Sequence, residues 1–210
     1  MVNISRLKSL SRNKTIIIIL MMAFILRVAF SLYSYRSNAM QHFKDDLLYY
    51  EYAEQILEQN IFVLNIDKFE YPTTHHVGPG IPWILSGIFY LIFKNWLLVF
   101  IVNSIVSTFF CWLIYRFAKR IFGYKYAIVS LVISTFYVLY LKVIPTSGKE
   151  VYISLLLLSV IYAISELFFT KKVYKQVVII SLIFTALLFV DERYFAYIPL
   201  FMFFIFAFII

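Results

Sequence analysis

Seven apolar runs separated by short polar stretches decide what this chain can become: residues 15–34, 79–93, 96–115, 126–141, 151–169, 177–190 and 194–210. Several approach the 20 or so residues that a helix needs to cross about 30 Å of hydrocarbon, at about 1.5 Å per residue. Of the 210 residues, 63% are hydrophobic and 14% are charged. An ordinary soluble domain has about 45–50% apolar and about 25% charged residues, and its interior could not hide such an excess. The expected fold is therefore all-α, a polytopic transmembrane helix bundle of about six spans. The same composition excludes a disordered chain, a collagen-like repeat and a disulfide scaffold. Cys111 is the single cysteine and lies inside an apolar run, so no intrachain disulfide or multi-cysteine metal site can form.

The formal charge of +8 invites a nucleic-acid partner, but the positions of the basic residues give it another meaning. Arg6, Lys8, Arg12 and Lys14 precede the first run. Arg116, Lys119, Arg120 and Lys125 form a second acid-free cluster, and Lys171, Lys172 and Lys175 a third. By the positive-inside tendency all three belong to the cytoplasmic side. That requirement is met when 15–34 exits, 96–115 returns, 126–141 exits, 151–169 returns and 177–190 exits again. The run 79–93 must then not cross. It is short, carries Pro79, Pro82 and Gly87, and reads as an interfacial or re-entrant helix. The expected organisation is one membrane domain: a first span at 15–34, an outer loop at 35–95 with interfacial helices, and the remaining spans at 96–210. The outer loop is rich in acids (Asp45, Asp46, Glu51, Glu54, Glu58, Asp67 and Glu70), and residues 46–59 within it read as an amphipathic helix. The charge imbalance is thus a topology signal, with a secondary capacity to hold anionic lipid headgroups. The first run lacks a small-residue cleavage site and reads as a signal anchor rather than a cleaved leader. Ile210 falls inside an apolar run, which suggests the N-terminal part of a longer module.

Candidate chemistry gathers in the outer segments. Adjacent Asp45 and Asp46 at the mouth of the first span can bind a divalent cation or act as a general base, or can cap the helix that follows. Glu150 follows Pro145-Thr146-Ser147-Gly148-Lys149 on the same side. It offers a second carboxylate, or an acid in the first turn of the next helix, where the macrodipole favours it. His75 and His76 can contact a metal or a phosphate, although adjacent side chains diverge and ordinary loop histidines fit as well. Arg193, within Asp191-Glu192-Arg193, can bind a phosphate in bidentate fashion or form a local salt bridge. Arg27 and Glu166 are the ionisable residues within apolar runs. Such residues are functional candidates by default; Glu166 lies a turn from the cytoplasmic end and can simply reach water, whereas Arg27 lies about two turns from the outer end and can snorkel only with strain.

The order of these features resembles the GT-C glycosyltransferases, in particular protein mannosyltransferases and bacterial aminoarabinose transferases. The resemblance rests on Asp45-Asp46-Leu47-Leu48-Tyr49 continuing into Glu51-Tyr52-Ala53-Glu54-Gln55-Ile56-Leu57, then Gly78-Pro79-Gly80-Ile81-Pro82-Trp83, then Arg120-Ile121-Phe122-Gly123 closing a span. Where the family commonly has Pro-Pro preceded by a lysine, this chain has Gly-Pro without it. The resemblance implies a multi-pass enzyme of a bacterial plasma membrane with a cytoplasmic N-terminus. It would transfer a sugar from a polyprenyl-phosphate donor to a lipid, glycan or protein acceptor at the outer face. It also implies Asp45 and Glu150 as catalytic carboxylates, with Asp46, Tyr49, His76, Lys149 and Arg193 binding substrate. A missing C-terminal half or a partner subunit would complete the module. The competing expectation is a non-catalytic transporter, flippase or assembly subunit, which calls for polar lining or helix breaks near mid-span.

Overall fold

The computed structural model describes residues 4–37, 53, 57, 84–85, 87, 96–145, 149–169, 173–199 and 203. Among these residues the regular structure is entirely helical: α1 (Ile4–Arg36), α2 (Trp96–Phe122), α3 (Tyr124–Phe136), α4 (Val138–Val143), α5 (Glu150–Leu167), α6 (Val173–Val190) and a 3₁₀ turn at Glu192–Tyr197. In hydrocarbon no water is available to backbone amides, so each run must close its own hydrogen bonds and becomes a helix despite its β-branched residues. Four of the helices, α1, α2, α5 and α6, are long and apolar enough to cross a membrane. The shortest two have 18 residues each. At about 1.5 Å per residue such a helix rises roughly 27 Å, close to the hydrocarbon thickness.

Side-chain contacts fix how the helices run. Ile16, Ile19 and Leu20 of α1 pack on Cys111, Tyr115, Ala118, Ala127 and Leu131, while at the other end of α1 the Tyr35 ring meets Phe100 edge-on at 6.2 Å. Helix α1 is therefore antiparallel to α2. Arg120 of α2 pairs with Glu166 of α5 at 3.3 Å, and Tyr152 of α5 donates to Asn103 of α2 at 2.9 Å. Gln176 of α6 donates to the Ala163 carbonyl of α5, and Lys149 pairs with Asp191 just past α6. Successive helices thus alternate in direction. One end of the bundle carries Arg116, Lys119 and Arg120 with Lys175, and the opposite end carries Lys149, Glu150 and Asp191. We call these the basic end and the far end.

Of the boundaries that differ from the sequence expectation, two shape the packing. Helix α2 does not stop at 115 but continues two turns through the basic cluster to Phe122. Its cations lie over aromatic rings there: Arg116 over Trp112, Lys119 over Tyr115, and Arg120 over Phe169 at 4.2 Å. Gly123 then ends it with φ +87, donating to the Lys119 carbonyl at 3.2 Å while its own carbonyl accepts from Ala127. That positive φ with an extended ψ of 178 is a backbone conformation essentially confined to glycine, and here it joins α2 to α3 in a single residue. The second difference lies in the run 126–141. It is broken at Tyr137 (φ −69, ψ 101) into α3 and the six-residue α4. No proline or glycine occurs between Tyr124 and Val143 to cause the break.

Ala53, Leu57, Ile84 and Leu85 also lie at the far end. The exit of α1 and the start of α2 meet there, and Ala53 and Leu85 are buried in one cluster with Val99, Phe100 and Val190. Leu57, Ile84, Tyr152 and Ile153 pack against it. The rest of the expected helices at 46–59 and 79–93 lies outside the described residues.

Candidate functional site at the far end of the bundle

The chain turn between α4 and α5 and the residue that follows α6 meet at the far end. Lys149 Nζ lies 3.4 Å from Asp191 Oδ2; the Asp191 side chain is 2% exposed and that of Lys149 19%. Geometry explains the pairing: Lys149 is the residue before the first turn of α5, and Asp191 caps the exit of α6, donating its amide to the Leu187 carbonyl at 2.9 Å. A carboxylate this buried needs a cation or hydrogen-bond donors to remain in place, and Lys149 supplies the charge. Beside the pair, Asn103 Nδ2 donates to the Ile144 carbonyl at 3.1 Å, and Asn103 Oδ1 accepts from the Tyr152 hydroxyl at 2.9 Å. The buried amide thereby ties α2 to the end of α4 and the start of α5. Glu150 occupies the first turn of α5 and is exposed.

Of the residues chosen from sequence, Lys149, Glu150 and the backbone of Arg193 fall together at this end, next to the buried Ala53–Leu85 cluster. Asp45, Asp46, Tyr49, His75 and His76 lie outside the described residues. Ala53 stands eight positions after Asp45 in the chain. The sequence reading selected Arg193 from the last outer loop and passed over Asp191. The available signal was an acid at a helix exit that faces a lysine at the preceding helix entry. No group of three or more His, Cys, Asp or Glu that could hold a metal occurs among the described residues.

The second polar constellation lies deep within the bundle. Arg27 does not snorkel: it is 0% exposed and turned into the helix packing. Nε donates to Ser107 Oγ at 2.7 Å. Nη1 donates to the carbonyls of Ala23 and Thr135 at 3.0 and 3.4 Å, and Nη2 to Cys111 Sγ and the Ser134 carbonyl at 2.9 and 3.1 Å. A guanidinium has five N–H bonds, so these five acceptors saturate it and leave no donor for a ligand. Small residues make the approach feasible: Ala23 and Ser31 on α1 and Ser104, Ser107 and Cys111 on α2 are all buried. Glu166, the other charge within an apolar run, is likewise not simply solvated but paired with Arg120 at the basic end.

Beside this network an open cavity of about 510 Å³ lies between α2, α3, α4 and α5, with Phe110, Ile133, Ser134, Tyr137, Tyr140 and Ser154 among its walls. The Phe110 and Tyr140 rings sit 4.8 Å apart in its wall, and the Tyr140 hydroxyl reaches the Val151 carbonyl at 3.5 Å. No protein-family model, curated protein or solved structure was found to match this chain.

Proposed function

We propose that this protein is an integral membrane glycosyltransferase, or part of one, that moves a sugar from a polyprenyl-phosphate donor to an acceptor at the membrane surface. The observation that supports this reading is the convergence at the far end. The Lys149–Asp191 pair, Glu150 and the Arg193 turn meet where Ala53 and Leu85 of the acidic 35–95 segment are buried. The chemistry needs a carboxylate at the water boundary and cations for a phosphate, both within reach of a lipid-soluble donor. In this reading Asp45 takes the proton of the acceptor hydroxyl as its oxygen attacks the anomeric carbon with inversion. The bond from that carbon to the phosphate oxygen breaks, and polyprenyl phosphate leaves with the electron pair. Lys149 and Arg193 offset the phosphate charge, Glu150 positions the reacting groups, and Asp46, Tyr49 and His76 line the approach. A divalent cation bound by Asp45 and Asp46 is compatible with the same scheme. The basic end faces the cytoplasm, with the N-terminus, in a bacterial plasma membrane.

The alternative of a transporter or flippase calls for helix breaks or polar lining near mid-span; the break at Tyr137 beside a cavity walled by Ser134, Tyr140 and Ser154 offers both, while Arg27 itself is saturated. The full chain in liposomes with a radiolabelled polyprenyl-phosphate hexose and a detergent-soluble acceptor separates the two readings. Asp45→Asn is expected to insert normally and to reduce transfer by at least 100-fold. Wild-type turnover in Asp45→Asn would remove the central role of this residue. Movement of the lipid between leaflets without any sugar transfer would favour the transporter.

A further inference from the structure

The break at Tyr137 lacks the usual causes of a sharp kink, a proline or a glycine pair, and is placed where a side chain from another helix enters the backbone ladder. In a continuous helix the carbonyls of Ser134 and Thr135 would accept from the amides of residues 138 and 139. Here both accept from Arg27 instead. The Ser134 and Thr135 hydroxyls both bond back to the Leu131 carbonyl, at 2.9 and 2.8 Å, a pattern that bends helices. Arg27 is therefore the C-terminal cap of α3, donated from α1 inside the membrane. A cation suits that end of a helix.

Helix α4 is held in the same manner at its other end, where Asn103 takes the Ile144 carbonyl. Between these two polar attachments it is held by buried Leu141 and by Tyr140, whose ring lies on Phe110 and whose hydroxyl reaches the Val151 carbonyl, while Tyr137, Val138 and Leu139 are 53%, 58% and 61% exposed. Tyr137 and Tyr140 form one wall of the open cavity, with Ser154 of α5 opposite.

We propose that α4 is a hinged half-span, a gate over the cavity between α3 and α5, with its hinge at Tyr137 and with Arg27 and Asn103 as latches. Outward rotation of α4 widens the cavity toward the bilayer. The inference concerns the bundle and goes beyond the proposed reaction, since it holds whether the far end transfers a sugar or not.

Paired nitroxide labels on the full chain in liposomes test it. Cys111→Ser removes the native thiol and retains an acceptor for Arg27. One label pair, at Leu139→Cys and Leu157→Cys, measures from α4 to α5. A second, at Leu157→Cys and Leu182→Cys, measures from α5 to α6 as a control. Arg27→Gln or Asn103→Ala, or both, should lengthen and broaden the first distance by about 5 Å, the scale of a one-turn displacement, and leave the second unchanged. A first distance unmoved by both variants overturns the proposal. So does a control distance that moves as much as the first in both, because Arg27 and Asn103 would then hold the whole bundle rather than one half-span.

Discussion

The two halves of the bundle solve the same packing problem by different means. Between α5 and α6 the contact is mainly apolar, with Val160, Ala163 and Leu167 facing Ile180, Phe184 and Leu187, and its polar links are Gln176 to the Ala163 carbonyl and Lys149 to Asp191. Where α1, α2 and α3 meet, the buried residues include Arg27, Ser104, Ser107, Cys111, Ser134 and Thr135. Lipid tails are as apolar as leucine, so apolar packing in a membrane holds helices by shape and dispersion alone and does not select one register strongly. A guanidinium with five assigned acceptors does select one, because a shift of either partner helix leaves bonds unmade. The α5–α6 hairpin is built to associate, whereas the α1–α2–α3 unit is built to associate in one arrangement.

The largest expected effect breaks that second arrangement. Arg27→Met keeps an unbranched apolar side chain but removes all five hydrogen bonds and leaves the Ser134 and Thr135 carbonyls without their cap. The expected loss is on the order of 4 kcal/mol, read as unfolding in mixed micelles of increasing SDS fraction. Leu187→Ala tests the apolar half and should cost about 2–3 kcal/mol in the same assay, by lost contacts and the cavity left behind. If Arg27→Met were the milder of the two, the contrast between the halves would collapse. The smallest effect is at the turn between α2 and α3. A Cβ on Gly123 would meet nothing within 4 Å, so the only obstacle to alanine is the positive-φ backbone. Gly123→Ala should therefore cost about 1 kcal/mol and leave the Arg27 network intact, which protection of Cys111 from a membrane-permeant maleimide would report.

Much of this architecture is legible in the chain because membrane insertion obeys coarse rules. Apolar runs of near 20 residues become helices since nothing else satisfies their amides, and the second and third basic clusters flank the same end of the bundle. The break at Tyr137 was not legible. Its cause is Arg27, 110 positions earlier in the chain, and local sequence between 124 and 143 carries no breaker. The same long-range packing turns Arg27 inward, where distance to the span end leaves snorkelling open only with strain. The extension of α2 through Arg116–Phe122 was missed because a cluster of cations looks like a loop until the aromatic rings beneath them are seen. At the far end, the approach of Asp191 to Lys149 depends on two helix ends meeting in space, which no local motif encodes.

Arg27 has one more consequence, which belongs to the living membrane rather than to the fold. It lies 14 residues from the start of the Asn13–Arg36 span and nine from its end, about 21 and 14 Å along the helix. A fixed positive charge therefore sits within the field of any energised bilayer, where a full crossing is worth about 2.3 kcal/mol per charge for each 100 mV. Any rearrangement that carries that guanidinium along the membrane normal does work against the voltage or draws work from it.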